Sequence, residues 1–277
     1  MEKRKIGKHY RIAVIGNGNL AYRLSIALKT HGHYLEFICG RELEKASKLA
    51  NILNKPEYSA LSTTNTVATT DKEMVADSEI VVLAVPDNAI ESVAKELYMH
   101  TSNNGKHPVV LHCSGASSLN LLEPFPHHGV LYPLMTLSAT KPVDFSIIPF
   151  FLESNTHHVS EILTNICYSI NSEYKFASSE ERAKLHLAAV YVSNFVNYLT
   201  GLSYELSAPN HMFLMPLAIE TIRKAFLYGH PTLVQTGPAI RGDSATIGKH
   251  LALLDGHQEH REVYEMLTKN IMIKKNS

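Results

Sequence analysis

Ile12-Ala13-Val14-Ile15-Gly16-Asn17-Gly18-Asn19-Leu20-Ala21 is the stretch that decides the fold. Four apolar residues read as a buried strand, the glycines as a turn, and Leu20 onward as a helix. Gly16, Gly18 and Ala21 fit the G-x-G-x-x-G/A dinucleotide pattern. Gly16 turns the chain sharply off the strand. Gly18 leaves room for a pyrophosphate against the backbone. Ala21 is small enough for the helix to pack closely on the sheet. The first N–H groups of that helix and its positive dipole end then face the phosphates. Three positions alone arise by chance; their place after an apolar strand close to the start of the sequence gives the pattern its weight. Gly16, Asn17, Gly18, Asn19, Leu20 and Ala21 are therefore candidate cofactor-binding residues.

Outward from this turn, strand and helix signals alternate, as a doubly wound sheet requires. Strands are expected over 11–15, 35–39, 79–85 and 109–112, with a short one within 66–69. Helices are expected over 20–30, 42–53 and 89–98. The continuous apolar run 79–85, ended by Pro86-Asp87, is how a parallel strand buried on both faces looks. Short strands follow near 130–133, 149–152 and 173–176, with a helix over 159–170. The texture changes at Ser178, where Ser178 and Glu181 form a possible capping box. Beyond it lies a long helical pattern ended by Pro209, then helices near 217–228, 246–254 and 259–272. The expected class is α/β: a Rossmann-type doubly wound parallel sheet over 8–177, then an all-helical domain over 178–277.

The end of the second strand bears on the nucleotide. An acid there would bond the ribose 2′-OH of NAD, whereas an Arg accommodates the 2′-phosphate of NADP. The strand ends Ile38-Cys39-Gly40-Arg41, and the nearest acid on the strand, Glu36, lies in mid-strand. Gly40 and Arg41 thus favour NADP over NAD, through a charge-assisted contact. Ligands bind outside the carboxyl ends of the strands of an open parallel sheet. Ala84, Val85 and Pro86 are placed to flank the nicotinamide ribose, and Cys113 and Ser114 to meet the carboxamide or the substrate. Cys113 reads as a packing residue, with no basic partner in sequence.

Bulk numbers exclude other classes. Lys and Arg total 26 against 26 for Asp and Glu, which argues against a nucleic-acid partner. No apolar run approaches the roughly 18 residues that span a membrane, and the charged lead-in Met1-Glu2-Lys3-Arg4-Lys5 is followed by no signal segment. Cys39, Cys113 and Cys167 read as reduced thiols of a cytoplasmic protein. Sixteen histidines invite a metal, but no His/Cys/Asp set stands at ligand spacing, so surface histidines and no metal site are expected.

The order of parts resembles the β-hydroxyacid dehydrogenase-like superfamily, which includes pyrroline-5-carboxylate reductase, ketopantoate reductase and the deazaflavin-dependent NADP reductases. More closely, the chain resembles a family of NADP oxidoreductases whose C-terminal part is a domain of unknown function. The match is carried by His112-Cys113-Ser114-Gly115-Ala116, Leu131-Tyr132-Pro133-Leu134 and Thr236-Gly237-Pro238-Ala239-Ile240-Arg241-Gly242-Asp243. The family usually reads His-Pro where this chain has Tyr132-Pro133, which removes one imidazole. The resemblance implies hydride transfer to or from a small carbonyl, imine or hydroxyacid substrate bound between the two domains. It also implies a homodimer through the helical domain, and the apolar content of 185–206 exceeds what a lone surface helix needs.

Hydride transfer needs orientation and a proton source. In the superfamily a Lys and an Asn one helical turn apart polarise the carbonyl. Here Lys184 and Asn194 are ten positions apart, roughly 80° apart around a helix and nearly three turns along it, a poor match. His186 shares a face with Ser193, and a histidine suits proton transfer near neutrality. His186 or Lys184 is the expected proton source, with Asn194 and Ser114 positioning the substrate. Arg241 either clamps a substrate carboxylate or pairs with Asp243, which can cap the next helix. Two alternatives stay open: a non-catalytic NADP-binding sensor, and a prephenate dehydrogenase-like enzyme.

Overall fold

The computed structural model describes residues 8–58, 61, 64–103 and 107–275; the lead-in Met1–Lys5 lies outside them. Two compact units divide the chain after Ser193. The first holds an eight-stranded sheet in the order β3-β2-β1-β4-β5-β6-β7-β8. Its strands are β1 (Arg11–Ile15), β2 (Tyr34–Cys39), β3 (Val67–Thr69), β4 (Ile80–Leu83), β5 (Val109–His112), β6 (His128–Pro133), β7 (Phe150–Ser154) and β8 (Tyr174–Phe176). β3 through β6 run parallel, β7 is antiparallel to β6, and β8 is parallel to β7. The reversal of strand order between β1 and β4 creates the crevice at their carboxyl ends where doubly wound sheets bind ligands.

Six helices complete this unit: α1 (Asn19–Thr30), α2 (Leu43–Leu53), the single turn α3 (Lys72–Val75), α4 (Ile90–Asn103), α5 (His157–Ser169) and α6 (Ser179–Val190). β1 shows why the sheet is covered on both faces. Ile12 and Val14 enter one apolar layer with α1, α2 and α5 residues such as Leu24, Leu49 and Ile162. Ala13 and Ile15 enter the other, with Ile90, Ala94 and Leu97 of α4. Strands buried on both faces carry continuous rather than alternating apolar sequence, hence the runs at 12–15 and 80–83.

α6 starts at the expected capping box: Ser178 Oγ accepts from the Glu181 N–H while the Glu181 carboxylate accepts from the Ser178 N–H. A π-helical turn (Tyr191–Phe195) follows. The second unit, from Asn194, comprises α7 (Val196–Ser207), α8 (Met215–Leu227), α9 (Pro238–Arg241), α10 (Ser244–Leu253) and α11 (Gln258–Lys275). Arg241 closes the one-turn α9. Pro238 sits at its first turn and Gly242, in the left-handed region, ends it, the asymmetry that favours Pro at the start and Gly past the end. Asp243 caps α10 by accepting from the Thr246 N–H at 2.9 Å; it makes no ion pair with Arg241 among the described residues.

Among the described residues no helix is long and apolar enough to cross a membrane, and no cluster of three or more His, Cys, Asp or Glu side chains could hold a metal. The histidines are not simply a surface set. His33, His112 and His128 are buried, and one ring nitrogen of each hydrogen-bonds a backbone group. His128 Nδ1, for example, lies 2.7 Å from the Phe125 carbonyl.

Candidate active site

The turn after β1 is held from both sides. Gly16 N donates to Cys39 O at 2.8 Å, and Ala84 N donates to Ile15 O at 2.8 Å. Gly16 has φ +130°, and a Cβ there would lie 2.1 Å from the Ala84 carbonyl oxygen, so only glycine fits between the exits of β1 and β4. Gly18 differs. It is the residue before α1, and a Cβ added to it meets nothing within 4 Å. No side chain caps α1 and its first turn holds no acid. An uncapped helix start with open space before it fits an anionic group; a pyrophosphate is the group the motif implies. Ala21 is fully buried and Leu20 packs against the core. Asn17 rests against Gly40, whose Cβ would come 2.9 Å from Asn17 Nδ2.

α1 also reaches across to the segment after β6. Asn19 Oδ1 accepts from Ala139 N at 3.0 Å. Arg23 donates through Nε to Ser138 O at 2.8 Å and through Nη2 to Ala139 O at 2.6 Å. The segment 138–139 is therefore fastened beside the glycine turn, a link between residues more than a hundred positions apart that no local pattern announces.

At the exit of β2, Gly40 N donates to Thr69 O. Arg41 is exposed and forms no ion pair among the described residues. Glu36, the acid in mid-strand, is engaged elsewhere: it accepts from Arg11 Nη1 at 3.2 Å and from Ser78 Oγ at 2.9 Å. Glu42 pairs with Lys45. At the exit of β4, Ala84 and Val85 are half-buried and Pro86 is exposed; Pro86 leads a short 3-10 turn, Asp87–Ala89, into α4.

The exit of β5 is the most crowded part of this edge. Burial pushes the Cys113 thiol up to about 12, so it is no nucleophile. Ser114 Oγ accepts from the N–H groups of Ala116 and Ser117 at 3.1 and 2.9 Å, which shapes the turn and leaves its own O–H to donate. Gly115 lies under two side chains: a Cβ there would stand 2.5 Å from Tyr132 Cζ and 2.7 Å from His186 Nδ1. Tyr132, at the end of β6, and His186, on α6, meet at 3.0 Å between Oη and Nδ1, with their rings edge to face at 5.9 Å.

Arg182 sets this helix in place. Its side chain is fully buried and is ion-paired with Glu153 of β7. Nε donates to Ser114 O at 3.1 Å, and Nη2 donates to Ser117 O. Glu153 in turn accepts from Ser179 N and Oγ at 2.9 and 2.8 Å. Arg182 and His186 are four residues apart and share a face. Lys184 lies between them on the opposite face, mostly exposed and paired with Glu180 at 2.6 Å. Of the two expected proton sources, the structure brings His186 to the β5 turn and leaves Lys184 in solvent. Asn194 opens the second unit and is exposed.

Comparison with known proteins agrees with this geometry. The model described as NADP oxidoreductase, coenzyme F420-dependent, matches residues 11–114, and a domain of unknown function, DUF2520, matches 148–271. A solved structure described as a "putative NADP oxidoreductase" from Bacteroides fragilis is 32% identical over 95% of this chain and 98% of its own, with a TM-score of 0.82. The chain belongs to this NADP oxidoreductase family. A Thermotoga maritima protein superposes with a TM-score of 0.73 at 22% identity over 96% of this chain and 100% of its own. A pyrroline-5-carboxylate reductase from Coxiella burnetii does so at 0.55 and 16%, covering 97% and 98%; these two share the fold. Glycerol-3-phosphate dehydrogenase [NAD(P)+] from Fusobacterium nucleatum is 36% identical over 89 residues, 31% of this chain. The match spans only about a quarter of that relative's length, 27%. The protein is a nicotinamide-dependent oxidoreductase of the Rossmann type.

Proposed function

We propose that this oxidoreductase uses NADP in preference to NAD and exchanges a hydride with a small carbonyl, imine or hydroxyacid compound. The observation that carries the nucleotide preference is the exposed Arg41 just past β2, without an ion pair among the described residues, with Glu36 engaged by Arg11 and Ser78. In this reading Gly16, Asn17, Gly18, Asn19, Leu20 and Ala21 hold the pyrophosphate. Gly40 and Arg41 take the 2′-phosphate, and Ala84, Val85, Pro86, Cys113 and Ser114 line the nicotinamide half. The cofactor, when bound, supplies the hydride. His186 holds the proton, Ser114 offers its O–H, and Asn194 remains a candidate for substrate orientation.

Arg41→Ala tests the nucleotide. A charge-assisted, bidentate phosphate contact contributes about 1.5–3 kcal/mol, so NADPH affinity should fall by roughly 10- to 100-fold. NADH affinity should stay within about 2-fold of its starting value. Fluorescence titration of both reduced cofactors reads this directly, and equal losses for the two would defeat the assignment.

The same reading includes a homodimer through the second unit. Among its described residues only Leu202, Ala239 and Leu254 are buried apolar side chains, while Phe213, Leu217, Phe226, Leu233 and Leu253 are each at least 66% exposed. Five large apolar side chains with nothing over them exceed what a monomer's surface usually tolerates, and a second copy is the partner always present. Sedimentation velocity should give a mass near twice 30.8 kDa; a monomer at micromolar concentration defeats it.

A further inference from the structure

A phenol from the sheet and an imidazole from α6 meet over the Cys113–Gly115 turn. His186 Nδ1 stands 3.0 Å from Tyr132 Oη. We propose that the Tyr132 hydroxyl is the group that exchanges a proton with the reacting oxygen or nitrogen of the substrate, and that His186 acts through it as the proton reservoir. This rests on the oxidoreductase reading above and adds to it the identity of the atom that touches substrate.

Three observations support the assignment. The first is position. Tyr132 ends β6, two strands from β4, so it lies about 10 Å along the sheet edge from the crevice where the strand order reverses. That is on the β5 side, over the Cys113–Gly115 turn. The close approach at Gly115 is what admits both rings there. The second is chemical state. The Tyr132 phenol is held above its ordinary value first by burial and then by the Asp87 carboxylate, with Arg182 opposing; a protonated phenol is a donor. The third is supply. Among the described residues the His186 ring is hydrogen-bonded through Nδ1 to Tyr132 and is half-buried, so the imidazole can exchange protons with water while Tyr132 itself is buried. Three titratable groups near the pair are engaged or inert: Lys184 with Glu180, Arg182 with Glu153, and Cys113 buried as a thiol; Ser114 keeps an O–H that can orient the substrate, while its oxygen accepts from the N–H groups of Ala116 and Ser117.

In the reducing direction a bound reduced nicotinamide would supply the hydride for the new C–H bond, and the C=O or C=N π pair would move to the heteroatom. Tyr132 O–H gives its proton to that atom, and protonated His186 gives its Nδ1 proton to the tyrosine oxygen. The substrate is reduced, the cofactor oxidised, and one proton is drawn from solvent through His186. In the oxidising direction each step reverses, and neutral His186 accepts from Tyr132. Oxidation therefore returns one proton to solvent through His186, the reverse of the reducing direction. The charged or titratable groups around the pair are Asp87 from the turn after β4 and Arg182 from α6.

The test has two arms. Histidine 15N NMR of the protein without cofactor should show His186 with Nδ1 as acceptor in its neutral form, a preference that Tyr132→Phe abolishes. A panel of 2-oxo acids, aldehydes and cyclic imines is then followed with NADPH. Tyr132→Phe should lower kcat by about 100-fold or more with KM changed less than about 3-fold. His186→Asn should keep Tyr132 in place but flatten the pH profile of kcat. Turnover by Tyr132→Phe within about 3-fold of the original protein, or an unchanged His186 tautomer, overturns the proposal and leaves the oxidoreductase reading standing. NADPH binding without turnover of any panel member overturns both.

Discussion

Arg182→Met is expected to lower the unfolding free energy of the first unit by about 3–5 kcal/mol, the cost of leaving a poorly solvated carboxylate without its partner. The guanidinium is fully buried and the Glu153 side chain is 18% exposed, so water can only partly replace the lost charge. Two carbonyl oxygens, of Ser114 and Ser117, lose their donors in the same step. Urea unfolding should show the drop as a lower midpoint at an unchanged slope. Arg182→Lys should fall between the two, because an ammonium is a single point and cannot reach the carboxylate and both carbonyls in the planar fork that arginine provides. The double change Arg182→Met with Glu153→Leu should recover part of the loss, since neither charge is then stranded. A loss below about 1 kcal/mol for Arg182→Met would mean the pair is solvated and that α6 is held otherwise. Activity is expected to fall with stability, because the same side chain fixes the helix that carries His186 one turn on.

The sheet was legible in the sequence because its signals are local. A strand buried on both faces has to be continuously apolar, so 12–15 and 80–83 stand out. Gly16 and Gly18 look alike in sequence but differ in the structure: the Ala84 carbonyl forces the first, whereas the second borders open space that a Cβ would enter without a clash. Ser178 and Glu181 announce their helix from four residues. The site was legible only in halves. His186 is a candidate by its chemistry and Tyr132 stands where the resemblance implies an imidazole; their pairing joins residues 54 positions apart, and no spacing rule reaches that far. Arg182 was passed over beside Lys184. The i, i+4 relation to His186 was the available signal: a helix that turns a histidine toward the sheet must turn Arg182 the same way. The histidines misled for a related reason. Composition treats them as alike, whereas burial depends on what backbone each ring meets.

Two of those buried rings are expected to make the fold lose stability in acid. His33 Nδ1 accepts from the Tyr10 N–H at 3.2 Å and its Nε2 lies 2.7 Å from Ser169 Oγ, which itself donates to Ile166 O. Those contacts are satisfied by the neutral ring with the proton on Nε2. A proton added to Nδ1 would face the Tyr10 N–H. His112 Nδ1 accepts from the Ser114 N–H at 3.1 Å in the same way, and the Arg182 guanidinium nearby adds repulsion. Burial first, then His9 and His31 beside His33 and Arg182 beside His112, holds both rings down to about 4 from an ordinary 6.5. Between those values the unfolded chain binds more protons than the folded one, so stability is flat above about pH 7 and falls as pH drops towards 4. Each ring contributes about 3 kcal/mol to the full loss. Urea unfolding at pH 7.5, 6, 5 and 4.5 should trace the decline. Most of the window lies above the range where carboxylates such as Glu181 and Asp243, held low by their capping hydrogen bonds, give up their charge. His33→Asn, which keeps an acceptor for the Tyr10 N–H, should remove about half the slope and leave cofactor binding intact, because it sits away from the carboxyl edge. His112→Asn should flatten the slope as much but also disturb the Ser114 turn. A slope that neither variant changes would mean the buried rings are not its source.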